Sequence, residues 1–208
     1  ERIGKIEKPL AEHFKQRKKL YLVPLIYSNK DAPPEFKERV GRYWQQVAEQ
    51  LTNLEVRIGE IKHIYHESIS QSGEDGMRVV EKVNPDSYQI ARGKCDNDAV
   101  FEAIEEKELF EEVTDWERCI LLGFVSEKVA SKVSEFYIEA LRKRYEFMAK
   151  RISDTLKGNE AGLLFITESH SLQFPADIEV FNVFPPALDE IHRWLRDRAK
   201  KEQEKAED

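Results

Sequence analysis

Cysteine is scarce in this chain of 208 residues: Cys95 and Cys119 are the only two. Two thiols exclude a disulfide framework and fit a reducing compartment, so a cytoplasmic location is expected. Long apolar runs are missing as well. The longest, around "CILLGFV" (119–125), falls far short of the ~20 residues needed to span a bilayer. The opening "ERIGKIEKPLAEHF" has no signal-peptide character. The nine glycines form neither GxxxxGK[ST] nor GxGxxG, which excludes the usual phosphate-cradling loops; GxSxG and HExxH are absent too. Basic excess is also lacking. Lys and Arg number 33 against 40 Asp and Glu, a net charge of −7, which argues against a protein that tracks nucleic-acid phosphates. The one basic run, "KQRKK" (15–19), reads as a solvated lead-in. "DNDAVFEAIEEK" starts like a calcium loop but has Phe101 at its sixth position and Lys107 at its twelfth, where Gly and Glu are required.

What is present belongs to one globular domain, 1–208, with enough apolar residues (40%) for a core. "KLYLVPLIYS" (19–28) reads as a buried strand, with Pro24 hinting at an edge. Pro33 and Pro34 open a helix whose Phe36, Val40, Tyr43, Trp44, Val47 and Leu51 share one face. "EVRIGEIKHIYHE" returns to strand and "MRVVEKV" is a short helix. "NPDSYQIARG" reads either as a capped helix or as a short strand at 87–91. Asp98 to Val113 reads as an acidic helix, restarted by a capping box at Thr114–Glu117. Ser126 opens the longest helix, striped with Val129, Val133, Phe136, Tyr137, Ala140, Leu141, Met148, Ile152 and Leu156 until Gly158. "AGLLFITE" and "DIEVFNV" are the last strands, followed by a helix with Leu188, Ile191 and Leu195 facing inward. Trp44, Trp116 and Trp194 lie on apolar helix faces and read as core. The alternation gives an α/β class: a mostly parallel sheet flanked by helices. Sheet-rich parts at 19–68 and 160–200 enclose a mostly helical elaboration at 73–157.

Two strand patterns end on chemistry. "EIKHIYHES" stops at His66 and Glu67, and "LLFITESHSLQFP" at Glu168 and His170. Ligands of parallel α/β sheets bind beyond the carboxyl ends of the strands. If these strands are parallel neighbours, the four groups converge on one cleft. There, His66, His170 and Glu168 form a donor set for a divalent metal, and Glu67 or Glu168 a general base. The competing reading makes each a satisfied loop residue.

The segment "HIYHESISQSGEDGMRVVEKVNPDSYQIAR" resembles the opening of the TraB/PrgY group in the erythromycin-esterase-like, ChaN-like superfamily. That group runs strand, GxxH, Ser-containing loop, helix, PD, second strand. "RYEFMAKRISDTL" resembles its RDxxMAxxI segment at Arg144, Met148, Ala149 and Ile152; "LLFITESH" resembles the second GxxH strand and "DIEVFNVFPP" the strand and Pro pair after it. The similarity covers residues 60–195. It implies a site of His66, His170 and Arg144, with hydrolysis of an ester or amide as the activity and Arg144 neutralising an oxyanion. The motif glycines are here His63 and Thr167, and the expected glutamate is Ala91. Those departures favour a protein that binds a small molecule or a protein partner and has lost the chemistry. The retained histidines and arginine favour the hydrolase, and the balance leans to binding. Homo-oligomerisation stays open.

Overall fold

A computed structural model of the chain describes residues 17–207. The reading of "ERIGKIEKPLAEHF" and of residues 15–16 therefore lies outside the described residues. Five strands, β1 (Lys18–Pro24), β2 (Ile61–His66), β3 (Val100–Glu102), β4 (Ala161–Ile166) and β5 (Ile178–Asn182), form one sheet in the order β3-β2-β4-β1-β5, with every pair parallel. β4 is buried at every residue and β1 at all but its first. Helices cover both faces of the sheet, so β4, and β1 from Leu20 onward, are apolar on both faces.

One face receives Tyr21, Val23, Ile61, Ile64, Leu163 and Phe165. Against it pack α1 (Pro34–Arg57), α2 (Gly73–Val83), α3 (Pro85–Cys95) and α6 (Pro186–Glu207), through residues such as Val40, Trp44, Leu51, Met77, Val80 and Ile191. The other face receives Leu20, Leu22, Tyr65, Leu164 and Ile166, packed by Met148 and Ile152 of α5 (Glu127–Thr155). α4 (Lys107–Leu122) precedes α5 and pairs with it as an antiparallel hairpin. Trp116 stacks on Phe136, and the Tyr137 hydroxyl donates to Glu117. No helix among the described residues is long and apolar enough to cross a membrane.

β2 and β4 run parallel with His66 level with Phe165, and the register slips between Ile61 and His63. One extra residue, Lys62, is thus accommodated as a bulge. Beside it, Gly162 of β4 sits where an added Cβ would lie 2.8 Å from the Tyr65 ring and 3.2 Å from a Leu20 methyl. Gly162→Ala should therefore overpack the α5 face and destabilise the protein by about 1–3 kcal/mol in a urea titration. An unchanged midpoint would show that the ring has room to move.

Several sequence expectations are corrected. Pro24 ends an interior strand, and its carbonyl accepts from the Tyr43 hydroxyl at 2.6 Å. Lys19 is buried, with its Nζ 3.2 Å from the Asn159 carbonyl, so the basic run is not a solvated lead-in throughout. Residues 87–91 are helical within α3, because Asn84 Oδ1 accepts from Ser87 N and caps the helix. The short strand lies instead at Val100–Glu102, inside the stretch read as an acidic helix. Thr114 does not restart a helix: its hydroxyl donates to the Phe110 carbonyl one turn back within continuous α4. Leu195 is exposed, and Trp116 and Trp194 are only half-buried.

Candidate functional site

The carboxyl ends of β2 and β4 meet as the two strand patterns require, but His66 and Glu67 point to opposite faces of the sheet. Successive side chains on a strand alternate. The His66 ring therefore turns to the α3 side, 5.7 Å from Phe165, while the Glu67 carboxylate turns to the α5 side.

His66 is completely buried. Its Nδ1–H donates to the Glu67 carbonyl at 2.8 Å, which fixes the tautomer; Nε2 lies 3.2 Å from the Ser87 hydroxyl, whose one proton is shared between it and the Asn84 carbonyl at 3.0 Å. Ser87 is held by the Asn84 cap, and Asn84 Nδ2 donates to the Ile26 carbonyl at 3.0 Å, tying the start of α3 to the segment after β1. Burial pushes the His66 pKa down to about 4, only partly offset by the bond to the carbonyl. The ring is neutral at pH 7 and closed off from solvent.

On the other face Arg144 joins two buried carboxylates. Its Nε donates to Glu105 Oε2 at 3.0 Å, Nη2 to Glu105 Oε1 at 2.5 Å and to Glu67 Oε1 at 3.4 Å. All three side chains are under a tenth exposed. Burial alone would lower the Arg144 pKa, but the bond and charge of Glu105, with Glu67 behind it, raise it above its ordinary value. The remaining carboxylate positions are also used. Glu67 Oε2 accepts from the Thr167 backbone N–H at 2.7 Å and hydroxyl at 2.5 Å, and Glu105 Oε1 accepts from Ser68 N at 2.9 Å. Ser68 adopts φ 68°, turning the chain so that its amide meets Glu105.

Two carboxylates against one guanidinium leave a net negative centre, and its influence reaches the phenols nearby. Tyr27 is raised to about 12 by burial and then by the charge of Glu67, and Tyr145 is raised by the same two causes. Arg144 itself lies over the Phe110 ring at 5.3 Å.

His170 is half-buried. Its Nδ1 accepts from Leu172 N at 3.2 Å, and burial lowers its pKa while Glu67 works the other way. Its Nε2 has no hydrogen-bond partner among the described residues. Glu168 is exposed and turned toward α6, where His192 Nε2 lies 2.8 Å from it. The residues of the expected metal set thus stand in three environments. Among the described residues no group of three or more His, Cys, Asp or Glu is placed to hold a metal. His63, at a motif-glycine position, lies before the strand end, between Glu160 (3.2 Å) and Glu102 (3.5 Å). Ala91, where the motif glutamate was expected, is buried in α3.

A groove of about 830 Å³ adjoins the ion cluster on the outer side of α5, between Ile138, Leu141, Tyr145 and Ala149 and the 171–175 segment with Phe174. Tyr145 is the dividing wall: it lines the groove and feels the charge of Glu67 behind it. Arg142, Glu146 and Lys150 form the rim, with Arg142 bonded to Glu146 and Lys150 to Asp154.

Sequence reasoning missed Glu105, Ser87, Thr167, Tyr145 and His192. Glu105 carried no signal, being one glutamate in an acidic run. Ser87 did carry one, as the third residue after a capping Asn-Pro. Compared with known proteins, the chain matches no family model, no curated protein and no solved structure.

Proposed function

We propose that this protein binds a small, largely apolar molecule in the α5 groove, on a scaffold of the TraB/PrgY-like, hydrolase-related kind whose motif residues have become structural. One observation carries the reading: His66 and Arg144, two of the three motif groups, are buried and committed to protein partners, His66 through Nδ1 to a carbonyl and Arg144 through Nε and Nη2 to two carboxylates. A general base must reach its substrate and an oxyanion partner must have charge to offer. His66 is completely buried, and Arg144 is already neutralised by two carboxylates. The groove has the size and apolar lining of a small-molecule site, and its charged rim is already internally paired, which suits a ligand of low charge.

The hydrolytic alternative rests on His170: with Nδ1 accepting from Leu172 N, the ring proton sits on the unpartnered Nε2, which could donate to an oxyanion. It would act from the segment after β4, with Glu67 and Thr167 beneath it.

Two assays decide between these readings. The fluorophore 1-anilinonaphthalene-8-sulfonate should bind saturably to the native protein, and Ala149→Trp, which fills the groove from α5, should weaken binding tenfold or more with an unchanged far-UV circular dichroism spectrum. Activity toward a nitrophenyl ester and a dipeptide amide, with and without added divalent cations, should not depend on His170. Dye binding indifferent to Ala149→Trp would remove the groove as the site. Turnover abolished by His170→Ala would establish the hydrolase.

A further inference from the structure

The α5 groove is apolar over most of its lining, yet three uncharged polar side chains also face it: Tyr145 from α5, and Ser171 and Gln173 from the segment opposite. The alternation of that segment explains their placement. Leu172 is buried in the core beneath α5 and Phe174 packs on the same cluster, so Ser171 and Gln173, on either side of Leu172, are left outward. Neither the Ser171 hydroxyl nor the Gln173 amide has a hydrogen-bond partner among the described residues.

Tyr145 is held in place before any ligand arrives. Its ring packs against the same core as Ala149 and Phe174, with the Arg144 guanidinium carbon 5.9 Å from the ring centre. The Ser171 N–H donates to the phenol oxygen, which leaves the hydroxyl hydrogen to be given elsewhere. No acceptor for it exists among the described residues. Burial and the charge of Glu67 raise the phenol pKa, so the group remains a donor at pH 7.

These groups restrict what the groove can admit. A pure hydrocarbon would cover all three and leave them with neither water nor partner. A carboxylate seated against Tyr145, unlike a sulfonate left at the open mouth, would face the net negative centre of Glu67, Glu105 and Arg144 behind that wall. An ammonium finds no free carboxylate at the rim, because Glu146 is bonded to Arg142. A primary carboxamide fits the count. Its oxygen can accept from Tyr145 and from the Gln173 amide nitrogen, and its two N–H groups can donate to the Gln173 oxygen and the Ser171 hydroxyl.

We propose that the ligand of the groove is an apolar molecule ending in an uncharged primary carboxamide, and that Tyr145, Ser171 and Gln173 are the residues that recognise it. This rests on the groove being the binding site. The apolar lining then supplies affinity and the three polar groups supply selection, since a site built to hydrogen-bond a group rejects the analogue that lacks it.

Isothermal titration calorimetry with three probes of one shape tests this: 2-naphthamide, 2-acetonaphthone, in which a methyl replaces the amide nitrogen, and 2-naphthoate. The amide should bind about tenfold more tightly than either of the others, the worth of one net hydrogen bond. Gln173→Leu, on an exposed side chain, should bring amide and ketone to equal affinity. Tyr145→Phe, which keeps the ring, should weaken both alike, because both present the carbonyl. Equal binding of the three probes to the parent, no binding of the amide, or an amide preference that survives Gln173→Leu overturns the carboxamide and leaves the groove standing. Probe binding indifferent to Ala149→Trp places the probes elsewhere and removes the groove and the carboxamide together.

Discussion

Arg144→Met should destabilise the protein by about 3–5 kcal/mol, because it leaves Glu67 and Glu105 buried without their counter-charge. For a chain of this length the midpoint of thermal unfolding falls by on the order of 10 °C. The comparison that identifies the cause is the triple variant Arg144→Met, Glu67→Leu, Glu105→Leu. Replacing a whole buried ion network by apolar groups is far less costly than removing one partner. The triple variant should recover much of the loss, although the Thr167 and Ser68 amides lose their acceptors. Denaturant titration of both proteins reads the difference. A single variant as stable as the parent would mean that water reaches the carboxylates. A triple variant worse than the single would mean that their amide bonds matter more than the ion pair.

Acid should weaken the fold through His66. The unfolded imidazole protonates around pH 6.5, its model value, while burial holds the folded one down to about 4. Above pH 6.5 both states are neutral and His66 adds no slope. Between pH 6.5 and 4 the unfolded state takes up the proton and the folded state does not, so stability falls as pH falls, by about 3 kcal/mol over that window. Below pH 4 this contribution levels off. His66→Gln cannot titrate, and the difference in stability between it and the parent should therefore narrow on acidification from pH 7 to 4. Urea titrations across that range measure it, and parallel pH profiles for the two proteins would contradict a buried neutral ring.

The parallel sheet was legible because β4 and most of β1 are unbroken apolar runs, and runs such as "LLFI" have nowhere to go except between two helical layers. The 3.6-residue pattern placed α1 and most of α5 equally well. β3 was hidden because three residues carry too little pattern to stand against the acidic helix signal around them. At the site, adjacency in sequence was misleading. His66 and Glu67 look like a pair on paper, yet the pleat that makes a strand recognisable also sends neighbours to opposite faces. Arg144 was legible as a motif residue, but its partner Glu105 was not: what singles that carboxylate out is burial, which only the packing of α5 over the strand ends creates. Ser87 and Asn84 were within reach, since a capping Asn fixes the third residue beyond it.

The bulge at Lys62 has an effect well beyond its own position. Ile61 and Ile64 lie on the same side of β2, three positions apart, where a regular strand would require an even interval. The bulge shifts the alternation of everything downstream as far as the strand end. Paired as a regular strand from Ile61 with no residue skipped, the imidazole of His66 would face the guanidinium of Arg144, and the carboxylate of Glu67 would sit against Ser87. The bulged pairing, four positions upstream and on a part of the strand with no chemistry of its own, thus sorts acid from imidazole between the two layers of the molecule.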